Sequence, residues 1–193
     1  MKAISVDELK RVSVEALRKA GLTAEDAAAA AEVLVTTDTF GVLSHGTKNL
    51  YPYILKMQAG GLNAAAQPTV EKEGPSWAIV NGNNSLGMLS GCKAMELAIE
   101  KAKKTGIAYV GVHDSCHFGA AGYYANLAAK AGMIGLSMSN ADPNMAIPNS
   151  CGVANIKPFV DRIQHLPTFV APYEGGEGFA AAIDHLLKLQ PHV

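Results

Sequence analysis

Apolar residues recur at helical spacing from the start of the chain. Val6, Leu9, Val12, Val14 and Leu17 follow Ser5, and Glu8 stands three residues after that serine, the pairing in which serine and glutamate cap a helix start reciprocally. The pattern stops at Gly21. Thr23, with Glu25 and Asp26 in the first turn, opens a second helix through Ala27 to about Asp38, since acidic side chains suit the positive end of a helix dipole. A third helix is expected over about residues 47–59, ending at Gly60 and Gly61, with Pro52 in its first turn or bending it. The alanine run at residues 24–31 reads as a close-packing surface, in the core or at a subunit interface, because small side chains let helices approach.

Residues 62–75, with Pro68 and Pro75, read as a connector holding one edge strand at about 69–71. Beyond them the period changes. Short apolar runs at 77–80, 107–112 and 133–139 alternate with helical patterns at 88–104 and 119–130, which makes a β-α-β-α-β order. Helical crossovers make neighbouring strands parallel and bring their C-terminal ends to one sheet edge, where ligands are usually met. The loops at 81–87, 113–119 and 139–144 should therefore share a crevice lined by Asn83, Asn84, His117, Ser139, Asn140 and Asp142. The fold expected is α/β: an N-terminal helical segment (residues 1–62) packed on a partly parallel, mixed sheet (63–150), followed by a divergent tail (151–193) in which residues 179–189 have an amphipathic helical pattern.

Composition narrows the function. An apolar fraction of 49% over 193 residues can fill a sizeable core, and a net charge of -1 lacks the basic surplus that binding a phosphate backbone needs, which argues against nucleic acid as a partner. The three cysteines, Cys92, Cys116 and Cys151, are too few and too scattered for a disulfide framework or a paired-cysteine zinc site. The N-terminus turns acidic where a secretory signal would be apolar, and no uncharged run is long enough to span a bilayer; a cytoplasmic protein without a membrane partner is expected.

Candidate chemistry gathers at two histidines. His117 stands on a strand-to-helix loop, and His45 lies in a similar glycine-flanked setting, Leu43-Ser-His-Gly46. Imidazole exchanges protons near neutral pH, so proton transfer is the chemistry suggested, against the alternative that each is a loop histidine bonded to backbone or, for His45, sits beside a cap supplied by Ser44 or Thr47. Gly82-Asn-Asn-Ser-Leu-Gly87 superficially has the look of a phosphate cradle, but Met88 and Leu89 follow where a P-loop has Lys and Ser or Thr, and the glycines lack dinucleotide-fingerprint spacing. They read as serving a tight turn and close packing. Cys116 beside His117 invites a thiolate-imidazole reading, but adjacent side chains seldom face each other and no third orienting group is evident. Four metal-ligand types within His113–His117 cannot easily wrap one ion, so no metal is expected.

Taken together, several stretches resemble the malate/L-lactate dehydrogenase-like family of nicotinamide-dependent 2-oxoacid reductases, which is distinct from the Rossmann lactate and malate dehydrogenases. They are Gly41-Val-Leu-Ser-His-Gly46, Gly60-Gly-Leu-Asn63, Val80-Asn-Gly-Asn-Asn-Ser-Leu-Gly87, Ala94-Met-Glu-Leu-Ala98, Ser115-Cys-His-Phe-Gly-Ala-Ala-Gly-Tyr-Tyr124, Ala128-Ala-Lys-Ala-Gly-Met-Ile-Gly135 and Met138-Ser-Asn140. The match runs in unbroken order over about residues 1–150. The resemblance implies interconversion of a 2-hydroxy acid and a 2-oxo acid with NAD or NADP in a homodimer. It carries His45 and His117 over as catalytic histidines, Ser44 and Tyr53 as substrate-pocket residues, and Ser139 with Asn140 as polar lining on the cofactor side.

Two departures accompany it. Where the family has a carboxylate-clamping arginine four residues after the first histidine, this chain has Asn49, and Lys48 is the proposed replacement cation, a point charge rather than a fork. Family members also continue with a Gly-Thr-Asn-Pro stretch and a Lys-Gly-aromatic-Gly stretch, of which Glu177-Gly-Phe is only a faint echo. A member truncated, frameshifted or internally deleted after about residue 150 is therefore expected. The alternative function is a catalytically inactive remnant or small-molecule-binding module of the same fold.

Overall fold

A computed structural model describes residues 4–140 together with the backbone of two short strands, at 151–152 and 169–170. The chain divides into two units, Met1–Met138 and Ser139–Val193.

The first unit opens with α1 (Val6–Lys19) and α2 (Ala24–Thr39). Ser5 Oγ accepts from Glu8 N–H and Thr23 Oγ1 from Asp26 N–H, so both helices begin at the caps read from the sequence, although the Glu8 carboxylate accepts from Arg11 rather than reaching back to Ser5. The alanine face of α2 is core: Ala27, Ala30, Ala31, Val33 and Leu34 have no exposed surface, and Leu17 of α1 is equally enclosed. Each fully buried leucine contributes about 1.5–3 kcal/mol relative to an exposed one. The third helix divides into a single 3-10 turn at Thr47–Asn49 and α3 (Leu50–Gln58). Pro52 falls within the first turn of α3, where its missing N–H has no helical acceptor to lose.

The sheet consists of β1 (Thr69–Glu73), β2 (Trp77–Asn81) and β3 (Tyr109–His113), in that order. β1 and β2 are antiparallel, with an irregularity between Val70 and Lys72. β2 and β3 are parallel and joined by α4 (Gly87–Thr105), which puts Asn81 opposite His113 and brings the two following loops to one edge, as the pattern required. α5 (Ala121–Lys130) follows β3. Gly91 of α4 leaves room for the ring of Tyr124, which is 1% exposed and donates its hydroxyl to the Phe118 carbonyl.

The expected last strand at 133–139 is a correction. That stretch has no regular structure, and Ile134, Leu136 and Met138 are 97%, 78% and 77% exposed. Alternation alone does not make a strand; a ladder partner is needed, and among the described residues none pairs with this run or with the outer edge of β3. In the second unit, β4 (Cys151–Gly152) pairs in parallel with β5 (Phe169–Val170). The amphipathic pattern at 179–189 and Glu177-Gly-Phe lie outside the described residues. Among the described residues, no helix is long and apolar enough to cross a membrane.

Candidate active site

Three segments of the first unit converge. The α2 to α3 loop carries Ser44 and His45, α3 carries Tyr53, and the β3 to α5 loop carries His117. The last loop is seated on the start of α4. Gly82 N–H donates to His113 O and Asn84 N–H to Asp114 O, both at 2.8 Å. A Cβ on Gly87 would lie 2.4 Å from Cys116 O and 2.6 Å from His117 O, so glycine is required where α4 meets the loop.

His45 and His117 are neighbours, with ring centroids 5.3 Å apart. Each ring is tethered through Nδ1. Ser44 Oγ lies 2.8 Å from His45 Nδ1, and Tyr53 Oη lies 2.5 Å from His117 Nδ1. Gly119 N–H, directed by a left-handed φ of +81°, donates to the same His117 nitrogen at 3.5 Å. Neither Nε2 has a protein hydrogen-bond partner among the described residues. Tyr53 is 4% exposed, and burial pushes its hydroxyl well above the ordinary tyrosine range, so it stays a neutral phenol. The affinity of His117 for a proton is lowered, first by partial desolvation and then by the nearby positive charges of His45 and Lys56.

The crevice differs from expectation at Asn83. Asn83 Nδ2 donates to Gln67 O and Thr69 Oγ1, and Asn63 N–H donates to Asn84 O, so the pair staples loops together. Both have positive φ, 51° and 57°, which asparagine tolerates better than most side chains. Cys116 is a buttress: its Sγ accepts from Gly87 N–H and donates to His117 O, both at 3.2 Å, and burial first of all raises its pKa above the usual thiol value. That opposes a thiolate nucleophile. Among the described residues, no group of three or more side chains is placed to hold a metal.

Lys48 is exposed on the 3-10 turn. Ser139 and Asn140 are exposed residues of the second unit, and Asp142 lies outside the described residues. Sequence reasoning noted Asn49 only as the residue in place of an arginine, and passed over Lys56. Asn49 Nδ2 donates to Ser44 O at 2.8 Å and to Gly46 O at 3.4 Å, bracing the turn that presents His45. Lys56 lies three residues beyond Tyr53 on α3, a spacing that shares a helix face and could have drawn attention to it.

The malate/L-lactate dehydrogenase family model matches residues 4–162. The chain belongs to that family. A malate dehydrogenase of Pyrococcus abyssi is 46% identical over 143 residues, 74% of this chain and 40% of that protein. The ureidoglycolate dehydrogenase (NAD(+)) of Escherichia coli K12 is 37% identical over 174 residues, 90% of this chain and 48% of its own length, so the likeness continues past residue 150. The solved malate dehydrogenase of Pyrococcus horikoshii superposes with a TM-score of 0.72 at 43% identity, covering 76% of this chain and 42% of that one. The chain thus spans less than half the length of these relatives.

The family implies a nicotinamide dinucleotide, and the start of α4 is not where the first unit would take its phosphate. The start of α4, the place for a phosphate after β2, is closed by the Cys116 and His117 carbonyls and by the Cys116 thiol on Gly87 N–H.

Proposed function

We propose that the chain serves the interconversion of a 2-hydroxy acid and a 2-oxo acid with NAD or NADP, and that His117, supported by His45, handles the proton. The observation that carries this is the tether of His117 Nδ1 to a buried, neutral phenol, which leaves Nε2 free beside a second imidazole. When bound, a nicotinamide would supply or remove the hydride at the substrate carbon. The chain's own residues account for the proton that accompanies it. During oxidation of the hydroxy acid, His117 Nε2 takes the hydroxyl proton; during reduction, the imidazolium returns it to the oxo oxygen. Tyr53 Oη can donate to a bare Nδ1 or accept from a protonated one, so the bond that aims the ring persists in both charge states.

Asn49 spends its amide on backbone carbonyls and is not free to replace a carboxylate-clamping arginine. Lys48 and Lys56 are the cations on offer, and neither makes an ion pair among the described residues. We assign the substrate carboxylate to Lys48, next to the His45 turn, with Ser44 and Tyr53 lining the pocket. Ser139 and Asn140 are proposed for the cofactor side, in a cytoplasmic homodimer. The division of the chain into 1–62, 63–150 and 151–193 remains the proposed domain arrangement.

The alternative reading is a catalytically inactive small-molecule-binding module of the same fold. Mixing the purified chain with NADH or NADPH and pyruvate, oxaloacetate or 2,3-diketogulonate separates the two. Loss of reduced-nicotinamide absorbance that disappears in His117→Ala supports the reductase. A folded chain that neither oxidises nor binds the nicotinamide refutes it.

A further inference from the structure

Asp38 stands in the last turn of α2, a poor place for a carboxylate, because the negative end of the helix dipole repels it and that turn carries no basic residue. It makes no ion pair among the described residues. Its side-chain partners lie nine residues ahead: Thr47 N–H donates to Asp38 Oδ2 at 3.0 Å and Thr47 Oγ1 donates to the same oxygen at 2.5 Å. The carboxylate occupies the space a side chain at residue 46 would need. A Cβ on Gly46 would meet Asp38 Oδ1 at 1.8 Å and Cγ at 2.4 Å. Asn49 fastens the other side of the same turn through the Ser44 and Gly46 carbonyls.

We propose that Asp38 is a positioning residue for His45, acting through Thr47 and through the bare backbone of Gly46 to hold the Ser44–Thr47 turn against His117. The physical reason is closure. The turn leaves α2 at an exposed loop, Phe40 to Leu43, and without an anchor ahead of it His45 would sample many placements. An ionised carboxylate gives that anchor a charge-assisted pair of hydrogen bonds. The catalytic consequence rests on the reading of His45 given above; the structural one does not.

The test is a cycle of Asp38→Ala, Gly46→Ala and the double variant in the full chain, with Asp38→Asn as the conservative replacement. Backbone 15N relaxation and amide exchange of residues 44–47 report the turn without any turnover. Asp38→Ala and Gly46→Ala should each mobilise the turn and speed exchange of Thr47 N–H by roughly tenfold or more, as a lost anchor lowers local opening cost. Gly46→Ala should add little in the Asp38→Ala background, because the methyl then fills the vacated space. Asp38→Asn keeps an acceptor oxygen for Thr47 N–H and should restore most of the protection. Equal cost of Gly46→Ala in both backgrounds, or an unmoved turn in Asp38→Ala, overturns the proposal. Where the chain turns over, Asp38→Ala should lower kcat by about tenfold to a hundredfold with KM moved far less, since misplacement of about 1 Å costs that much. A mobile turn with kcat unchanged would leave Asp38 as the anchor and remove His45 from the chemistry.

Discussion

The seating of His117 on α4 is testable with two glycine-to-alanine substitutions of opposite expected sign. At Gly87 a Cβ would stand 2.4 Å and 2.6 Å from the carbonyl oxygens of Cys116 and His117 and 3.0 Å from the His117 carbonyl carbon. All three are backbone atoms of a loop pinned to residues 82 and 84, so the clash cannot be relieved by a side-chain rotation. Forced shifts of this kind cost about 1–3 kcal/mol. Alanine in a helix returns about 0.5–1 kcal/mol, leaving a net loss on the order of 1–2 kcal/mol. Gly122 in α5 is the control, because a Cβ there meets nothing within 4 Å, and Gly122→Ala should gain about 0.5 kcal/mol from helix propensity. For a chain of this size, thermal unfolding should show Tm falling by about 2–8 °C for Gly87→Ala and rising by about 1–2 °C for Gly122→Ala. A Gly87→Ala protein as stable as Gly122→Ala would refute the contact between α4 and the histidine loop, and with it the placement of His117.

Other expectations follow from the same contacts. Tyr53→Phe keeps the ring and removes the tether of His117 Nδ1, so kcat should fall by about tenfold to a hundredfold while stability changes by only about 0.5–1.5 kcal/mol; unchanged imidazole 15N shifts would show that the tether does not exist. Lys56→Met removes a positive charge that helps lower the pKa of His117, so the His117 C2–H titration midpoint should move up, and a static midpoint would place Lys56 elsewhere. The pH dependence of stability should carry opposite signs at two histidines. His117, with a lowered folded pKa, contributes stability above its unfolded value of about 6.5 that is lost as pH falls through the folded value, whereas His113 has a raised pKa, first through its hydrogen bond to Glu71, and contributes below about 6.5 and loses that contribution as pH rises. His113→Gln should therefore lower unfolding midpoints at pH 5 more than at pH 9, and the reverse order would contradict the assignment.

What the sequence made legible follows from the range of its signals. Ser5 and Thr23 cap their helices through bonds spanning three residues, and such local chemistry is readable wherever it occurs. The shared edge of β2 and β3 followed from a helical crossover and carried the His117 loop with it, whereas His45 was legible only from its glycine-flanked setting. The 133–139 run shows where reading stops, since its alternation is that of a strand and only a partner strand decides whether a ladder forms. Asn83 is tied up for a related reason: its side chain bonds residues 14 and 16 positions back, which no spacing rule anticipates. Asp38 was hidden by its position in a continuous helical pattern, where it looks like an ordinary polar residue until the turn ahead folds back onto it.

All the contacts that set the proton-handling geometry lie between residues 38 and 119, within the first unit, so the histidine pair can be interrogated without substrate or cofactor. The decisive property is mutual influence. With ring centroids 5.3 Å apart, a proton on one imidazole repels a proton on the other, and His45 is among the causes that lower the His117 pKa. Replacing His45 with glutamine removes that charge while leaving Tyr53 and Gly119 on His117 Nδ1, so the His117 midpoint should rise and its titration should steepen toward that of an isolated group. A His117 that titrates identically with and without His45 would mean that the two rings do not face a common space, and the proposed proton chemistry would then have to rest on His117 and Tyr53 alone.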